Sequence, residues 1–296
     1  MASAVPRRAL VLLGVLTLVW GTNWPLFPIV MREMSVWTFR GISMPAAGLL
    51  LLAIARLRGQ SLRVPRQHWG PVAAATFSYL MVWNVASGYS AILIPSGQSA
   101  VLGFTMPLWA ALISWAVLGE RLGRRLWLAV ALGAIGIGLL MVRSIGAYTQ
   151  APLGLALGLL SGFGWAVGTL ILKRAKIDVP ATVLTGWQLL LASLPVIAGA
   201  VALGDGQWAW PSWTTVLLVA YIVVMPMGLG NVTWFSIVGL LPANLAGLSS
   251  ILVPVVAMVS GALVHGEPLG PLQWLAMVCC GGALALALFK PATPAR

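Results

Sequence analysis

Charged side chains are scarce in this chain, and acidic ones are the scarcest. Only 7% of the 296 residues are charged, and five of them are Asp or Glu, whereas an ordinary soluble domain has about 25% charged residues. Hydrophobic residues make up 60% of the sequence. A soluble fold of this length has too little polar surface to cover so much apolar material, but a bilayer accepts it. The composition therefore indicates an integral membrane protein.

Cysteine and histidine are also rare, and neither forms a metal-binding pattern. Cys279 and Cys280 are adjacent within an apolar run. Neighbouring side chains on a helix point in different directions, so a disulfide between them is not expected. His68 and His265 lie in different loops without a second His at ligand spacing, and the sequence has no P-loop motif. We therefore expect no metal, no other cofactor and no ATP hydrolysis by this chain.

A net charge of +12 is compatible with nucleic-acid binding, but the placement of the Lys and Arg residues argues against it, because they fall between apolar runs. A helix that crosses about 30 Å of hydrocarbon needs about 20 residues. Ten apolar runs meet this length, and we predict that each spans the membrane. They cover residues 9–30, 35–56, 70–90, 95–118, 126–143, 152–173, 180–203, 213–236, 242–264 and 272–289.

The positive charges also predict the orientation of these spans. With a cytoplasmic N-terminus, 14 Lys and Arg residues lie inside and three lie outside, so both termini should be cytoplasmic. The first run follows Arg7 and Arg8 and has a second interpretation as a signal peptide. Its length, its two tryptophans and the lack of a clear cleavage site favour a membrane span.

The two halves of the chain match each other at a shift of 147 residues without a gap. A shift of 145 residues further pairs Trp20 with Trp165 and Glu33 with Asp178. Five spans per half is an odd number, so the second half must enter the membrane upside down. We therefore predict two five-helix repeats, 1–147 and 148–296, of opposite orientation. The matches at 147 are Asn84-Val85 with Asn231-Val232, Pro95 with Pro242, Pro107 with Pro254, Gly119-Glu120 with Gly266-Glu267, and Trp127-Leu128-Ala129 with Trp274-Leu275-Ala276.

Inverted repeats of this kind recur in secondary transporters. Two similar and opposed halves can exchange shapes, which opens a central site first to one side and then to the other. The sequence therefore predicts an all-α transporter that works by alternating access. A channel and a polytopic membrane enzyme are the rival classes, but no paired carboxylates, His cluster or nucleophile–base set lies inside the spans. The number of spans excludes a heptahelical receptor.

Several motifs resemble the drug/metabolite transporter superfamily, specifically its EamA group with two five-helix halves. Within the group, the chain looks most like the bacterial YddG-type exporters of aromatic amino acids. The resemblance implies ten helices around a central cavity and export of neutral amino acids across the inner membrane. Another small metabolite or a cationic drug, exported with or without proton coupling, is the alternative. The motifs are Trp20-Gly21-Thr22-Asn23, Arg40, Leu118-Gly119-Glu120-Arg121-Leu122 and His265-Gly266-Glu267-Pro268-Leu269.

Aromatic rings are among the few groups that hold an amino acid without a buried charge, through stacking and cation–π contacts. Trp109 is our first choice for the cavity, followed by Trp20 and Trp165. Asn84 and Asn231 are favoured among the polar residues because the repeat relates them. The simpler interpretation of each residue is helix packing. The predicted cavity residues are Trp20, Asn23, Trp24, Tyr79, Trp83, Asn84, Gln98, Trp109, Trp165, Trp187, Asn231, Trp234 and Ser250.

Three further residues inside the spans have alternative interpretations. Pro107 and Pro254 each remove one backbone hydrogen bond, which predicts a kink. The kinks either give static curvature or bend during gating. Arg40 lies about one helical turn inside the second span. It either binds a substrate carboxylate, or it extends its side chain toward the outer interface or pairs with a helix end, and we favour the second interpretation.

The distribution of acidic residues bears on energy coupling, because proton-driven carriers usually need a titratable group inside the membrane. We expect downhill facilitated export of a neutral or zwitterionic solute, with proton coupling through His265 and Glu267 as the weaker option. Stripes of small residues at 129–136 and 281–285 predict packing between the halves and therefore a monomer. The five acidic residues all lie at or beyond span ends, at Glu33, Glu120, Asp178, Asp205 and Glu267.

Overall fold

The computed structural model describes residues 7–117, 119, 123–143, 145–203, 210–241, 250–265 and 269–288. These residues are helical and contain no β-strand. Three of the five acidic residues, Glu120, Asp205 and Glu267, lie outside the described residues. The repeat residues Pro242 and Gly266 also lie outside them. The side chain of His265 is also outside them.

Among the residues that the structure describes, seven helices are long and apolar enough to cross a bilayer, so the chain is a multi-pass membrane protein. Two shorter apolar helices, Ser250–Val264 and Pro271–Leu286, follow them. The seven long helices are Arg7–Val30, Val36–Leu57, Gly97–Ala116, Arg124–Val142, Pro152–Ala175, Ala181–Leu203 and Trp213–Leu240.

The first half of the chain contains helices of very different lengths, because several apolar stretches are interrupted by irregular backbone. A 3-10 turn at Trp24–Leu26 separates α1 from α2, and a π-helical turn at Phe77–Met81 joins α4 to α5. The helices are α1 (Arg7–Gly21), α2 (Phe27–Val30), α3 (Val36–Leu57), α4 (Trp69–Thr76), α5 (Val82–Leu93), α6 (Ser96–Gly103), α7 (Met106–Ala116), α8 (Arg124–Arg143) and α9 (Ile145–Gln150).

The second half contains corresponding interruptions. A π-helical stretch at Val223–Gly230 joins α12 to α13, and a 3-10 turn at Ser250–Leu252 precedes α14. The helices are α10 (Pro152–Ala175), α11 (Ala181–Leu203), α12 (Trp213–Ile222), α13 (Asn231–Leu240), α14 (Val253–His265) and α15 (Pro271–Leu288).

The two expected proline kinks are located at breaks between separate helices. Pro107 is the second residue of α7, and Phe104 and Thr105 separate α7 from α6. Pro254 is the second residue of α14 and follows the 3-10 turn. A proline in the first turn of a helix loses no hydrogen bond, because those N–H groups have no partner within the helix. Each proline therefore begins a new half-helix.

Helices from the two halves pack closely along each other. The helix α3 lies against α11, and α8 lies against α15. The helix α10 crosses α5 and the π-helical turn that precedes it, while α1 contacts the second π-helical stretch, α13 and α14. Glycines permit these close approaches. At Gly136, for example, an added Cβ would lie 2.8 Å from the Cys280 Sγ atom.

We predict that Gly168→Ala destabilises the protein. An added Cβ would lie 2.6 Å from Tyr79 Cβ and 2.8 Å from the Ala75 carbonyl oxygen, which are relatively immobile neighbours. Overpacking of this kind costs about 1–3 kcal/mol. Gly138→Ala is the matched control, because no heavy atom lies within 4 Å of its added Cβ and both substitutions gain the same helix propensity. Thermal unfolding in detergent should show a lower midpoint for the Gly168 variant alone; equal midpoints would contradict the described packing.

Candidate substrate-binding cavity

A cluster of aromatic rings from both halves occupies the centre of the molecule. The Trp165 ring of α10 lies 4.8 Å from Trp83 of α5 and 5.2 Å from Trp20 of α1, both edge-on. Trp24 and Phe104 complete the cluster, at 6.0 Å from each other. These centroid distances are typical of favourable edge-to-face aromatic pairs. The cluster therefore gives the middle of the membrane protein a rigid aromatic wall.

A cavity of about 50 Å³ lies against this wall. Sites for small molecules usually have volumes of about 300–1,000 Å³, so this cavity has room for only a few water molecules. Its predicted lining residues are Trp20, Asn23, Trp24, Trp83, Asn84, Trp165 and Asn231. The lining residues that we did not predict as cavity residues are Phe27, Arg40, Leu80, Phe104, Pro226 and Met227.

Two asparagines hold equivalent places in this lining. The Asn84 side-chain amide donates to the Leu80 carbonyl at 2.8 Å, and that of Asn231 donates to the Met227 carbonyl at 2.9 Å. Both acceptor residues lie in π-helical backbone, where the normal helical ladder is disturbed. The Asn231 Oδ1 atom is buried and accepts no hydrogen bond. Each asparagine therefore satisfies an irregular carbonyl, and Asn231 keeps an acceptor free at the cavity.

The indole of Trp20 stabilises the same irregular backbone. Its Nε1–H donates to the Pro226 carbonyl at 3.1 Å, which links α1 to the second π-helical stretch. The indole nitrogens of Trp165 and Trp234 are buried without a hydrogen-bond partner. The two repeat-related tryptophans thus pack against each other, but only Trp20 is held by a hydrogen bond.

Arg40 is buried in the cavity lining, which makes the expectation of an interfacial side chain wrong. The residue is 2% exposed, and its guanidinium carbon lies 4.7 Å from the Phe27 ring centroid and 4.6 Å from that of Phe39. Its Nε atom is buried and makes no hydrogen bond. The short helix α2 places Phe27 over this part of α3, so the side chain is enclosed on its way to the interface.

Six of the predicted cavity residues lie outside this lining. Tyr79 and Trp234 are fully buried behind it, where the Tyr79 hydroxyl donates to Gln188 Oε1 at 2.6 Å. Ser250 is buried in the 3-10 turn before α14. Gln98 lies in the first turn of α6, where its backbone carbonyl accepts from the Tyr148 hydroxyl.

Trp109 and Trp187 also lie away from the cavity. Trp109 contacts the exposed Phe163 edge-on at 5.5 Å, and its indole donates back to Thr105. The helix break before Pro107 sets the rotation of α7, and no sequence pattern reports that rotation. The Trp187 indole donates to the Leu62 carbonyl at 2.8 Å, in the loop after α3.

A second, larger cavity of about 540 Å³ lies near the ends of α1, α10 and α13, and we call it the vestibule. Arg8, Lys173 and Lys176 are among its lining residues. Phe235 also lines it, and the Phe235 ring contacts Tyr79, which in turn contacts Trp165 at 5.2 Å. A few aromatic rings therefore separate the vestibule from the central cavity.

A hydrogen-bonded contact joins the loop before α3 to the start of α12. The two carboxylate oxygens of Glu33 accept from the Ser212 backbone N–H at 2.7 Å and from its hydroxyl at 2.8 Å. The backbone hydrogen bond from Ser212 is the main cause that lowers the pKa of Glu33 below its ordinary value of 4.5. Glu33 is thus ionised at neutral pH and engaged in this contact.

Comparison with known proteins decides the family. The EamA-like transporter family model matches residues 7–142 and, a second time, residues 152–289. The chain belongs to the EamA-like transporter family. Membership in a transporter family favours a transporter over the membrane-enzyme alternative.

Relatives in several bacteria are similar over most of their length. The uncharacterized inner membrane transporter YedA of Escherichia coli K12 is 29% identical, with 92% of this chain and 88% of YedA covered. The uncharacterized protein PA1977 of Pseudomonas aeruginosa is 30% identical over 95% of both chains. A probable amino-acid metabolite efflux pump of Salmonella typhimurium is 26% identical, with 66% and 68% covered.

A solved crystal structure shares the fold. It is 20% identical, with a TM-score of 0.77 over 94% of this chain and 96% of the other.

We predict that Trp20→Phe lowers stability more than Trp165→Phe. Both substitutions shrink an indole to a phenyl ring, but only the first removes a hydrogen bond, the one to the Pro226 carbonyl. A typical net loss is about 1 kcal/mol. Thermal unfolding of both variants in the same detergent measures the difference. A lower midpoint for the Trp165 variant would show that the Trp20 hydrogen bond contributes little.

Proposed function

We propose that this EamA-like transporter exports neutral amino acids with aromatic or other apolar side chains across the bacterial inner membrane. The observation that carries the proposal is the central cavity. Both halves contribute to it, aromatic rings and amides line it, and none of the lining residues that the structure describes is acidic. Rings and amides match a zwitterionic solute with an apolar side chain, since they bind it without a fixed negative charge.

The proposed architecture has ten spans in two inverted five-helix halves, 1–147 and 148–296. The helical stretch 69–93 serves as the third span. Support comes from features that a shift of 147 residues relates. The π-helical turn at Phe77–Met81 corresponds to part of Val223–Gly230, and the bond from Asn84 to Leu80 corresponds to that from Asn231 to Met227. The packing of α10 on α5 also has a counterpart in that of α1 on α13.

The relative from Salmonella typhimurium, named a probable amino-acid metabolite efflux pump, supports an amino-acid substrate. A cationic drug is the alternative, and Arg40 disfavours it, because a guanidinium in the cavity lining repels a second cation. We propose a monomer, since α8 and α15 use their small residues to pack on each other.

The proposed direction of transport follows from the positions of the vestibule and of the contact between Glu33 and Ser212. In the orientation that the Lys and Arg residues predict, Lys173 and Lys176 are cytoplasmic, so the vestibule faces the cytoplasm. The contact between Glu33 and Ser212 then lies on the outer side. This arrangement suits loading of a solute from the cytoplasm. No acidic residue lies in the described middle of a span, which supports downhill transport without a proton.

Counterflow into proteoliposomes tests this proposal. Purified protein should exchange radiolabelled phenylalanine, tryptophan or tyrosine in a screen of the twenty amino acids and several drug cations. The rate should be the same with and without a pH gradient. Exchange of drug cations alone would refute the proposed substrate, and strict dependence on the gradient would refute the proposed coupling.

We predict that the double variant P107A/P254A slows exchange more than it weakens substrate binding. If the helix breaks at 104–105 and 250–252 are the points at which each half bends, then alanine, which favours a continuous helix, should stiffen them. P45A/P195A is the matched control, because these prolines lie inside the continuous helices α3 and α11. The exchange rate and the KM of phenylalanine separate the two effects. Exchange at the unmodified rate in P107A/P254A would refute a gating role.

A further inference from the structure

The guanidinium of Arg40 lies in a place that is costly for an unpaired charge. Arg40 is 2% exposed, and its Nε atom is buried without a hydrogen-bond partner. Removal of an ion from water costs several kcal/mol unless a partner compensates the charge. The rings of Phe27 and Phe39, at 4.7 and 4.6 Å, compensate part of this cost through cation–π contacts. Rings alone leave the N–H donors of the guanidinium unused.

A purely structural role does not explain this arrangement. Lys173 shows what such a role looks like in the same molecule, because its ammonium donates to the carbonyls of Val238 at 2.5 Å and Leu241 at 2.7 Å and thereby caps α13. Arg40 makes no comparable bond to a carbonyl. It lies instead against the central cavity, together with Asn23 and Asn231.

We infer that Arg40 binds the carboxylate of the transported solute. This inference rests on the proposed function and deepens it, because it assigns the carboxylate as the group that every good substrate must carry. A planar guanidinium pairs with a carboxylate through two parallel hydrogen bonds. The stacked rings of Phe27 and Phe39 hold the guanidinium so that its remaining donors are available to the cavity.

The rest of the cavity suits the other groups of such a solute. The Oδ1 atoms of Asn23 and Asn231 are buried acceptors without a partner, and an α-ammonium group supplies the donors that they lack. The rings of Trp20, Trp83 and Phe104 surround an apolar side chain. The ligand class is therefore a small carboxylate with an apolar body, and an α-amino acid makes the largest number of matching contacts.

The charge of the vestibule also favours solutes that carry a carboxylate. Arg8, Lys173 and Lys176 line the vestibule, and none of its described lining residues is acidic. A mouth with positive charges raises the local concentration of anions and of groups that carry a carboxylate.

The first experiment varies the ligand and uses the wild-type protein in proteoliposomes. Counterflow of radiolabelled phenylalanine is measured against unlabelled 3-phenylpropanoate, which lacks the ammonium, and against phenylalaninamide and 2-phenylethylamine, which lack the carboxylate. We expect competition by 3-phenylpropanoate and little competition by the amide or the amine. Equal competition by phenylalaninamide would overturn the inference and would leave the proposed function intact.

The second experiment varies the protein. Arg40→Gln should raise the KM for phenylalanine by about 10- to 100-fold, the loss expected for charge-assisted hydrogen bonds, and should reduce the preference for phenylalanine over phenylalaninamide. Arg40→Lys keeps the charge and should recover part of the affinity. Arg32→Gln is the matched control, because Arg32 is exposed in the loop after α2. An unchanged KM in Arg40→Gln would overturn the inference.

A third measurement separates this inference from the proposed function. Thermal unfolding in detergent is followed with 3-phenylpropanoate and with 3-phenylpropanamide. Stabilisation of the wild type by the acid but not by the amide, lost in Arg40→Gln, supports the inference even if no amino acid is exchanged, and the proposed function alone would then fail. Absence of both stabilisation and exchange would overturn both.

Discussion

Backbone polar groups inside a membrane must find partners within the protein, and this constraint shapes the centre of the molecule. No water is available in the hydrocarbon to satisfy a free carbonyl, so irregular backbone is tolerated only where the protein encloses it. The irregular segments here, two π-helical stretches and two interrupted helices, lie close to the central cavity. Asn84, Asn231 and Trp20 each donate to a carbonyl in a π-helical stretch. The cavity thus lies where the helices are irregular, and its polar lining residues donate hydrogen bonds to carbonyls of that irregular backbone.

The scarcity of acidic residues gives the cavity its electrostatic character. A carboxylate beside Arg40 would have formed a buried ion pair, which is costly to separate and leaves neither charge for a ligand. Among the described residues no such carboxylate is present, and the guanidinium is held by rings instead. The same scarcity makes a proton relay inside the spans difficult to build, because no described acidic residue lies there. On the proposed function, the preference for a carboxylate and the lack of proton coupling would both follow from this scarcity of acidic residues.

The sequence predicted those parts of the site that depend on repetition and polarity. Asn84 and Asn231 were identifiable because an amide is rare in an apolar run and because the repeat relates the two positions. Phe27 and Phe104 were not, since a phenylalanine that lines a cavity looks the same in the sequence as one that faces lipid. Trp109 lies away from this cavity because the break at 104–105 sets the rotation of α7, and that rotation is a property of tertiary packing.

Arg40 shows a different limit of sequence analysis. Its position about one turn inside a span made an interfacial side chain reasonable, because long basic side chains usually extend to water. The enclosing group is Phe27, on a helix of four residues that lies just before α3. Whether such a short helix covers or exposes its neighbour depends on the 3-10 turn before it, at Trp24–Leu26. Hydropathy averaged over a long window does not detect a turn of this kind.

The small size of the central cavity bears on how a solute could reach it. A cavity of about 50 Å³ is too small for an amino acid. A solute of that size therefore enters only if the side chains that line the cavity move apart. The wall toward the vestibule consists of edge-to-face rings, Phe235 on Tyr79 and Tyr79 on Trp165, and each such pair contributes about 0.5–1.5 kcal/mol beyond its area burial. On the proposed function, a solute that forms a charge-assisted pair with Arg40 and packs against the same rings would offset that cost. A solute without these groups would open this wall at a net free-energy cost, so the aromatic cluster would contribute to substrate selection.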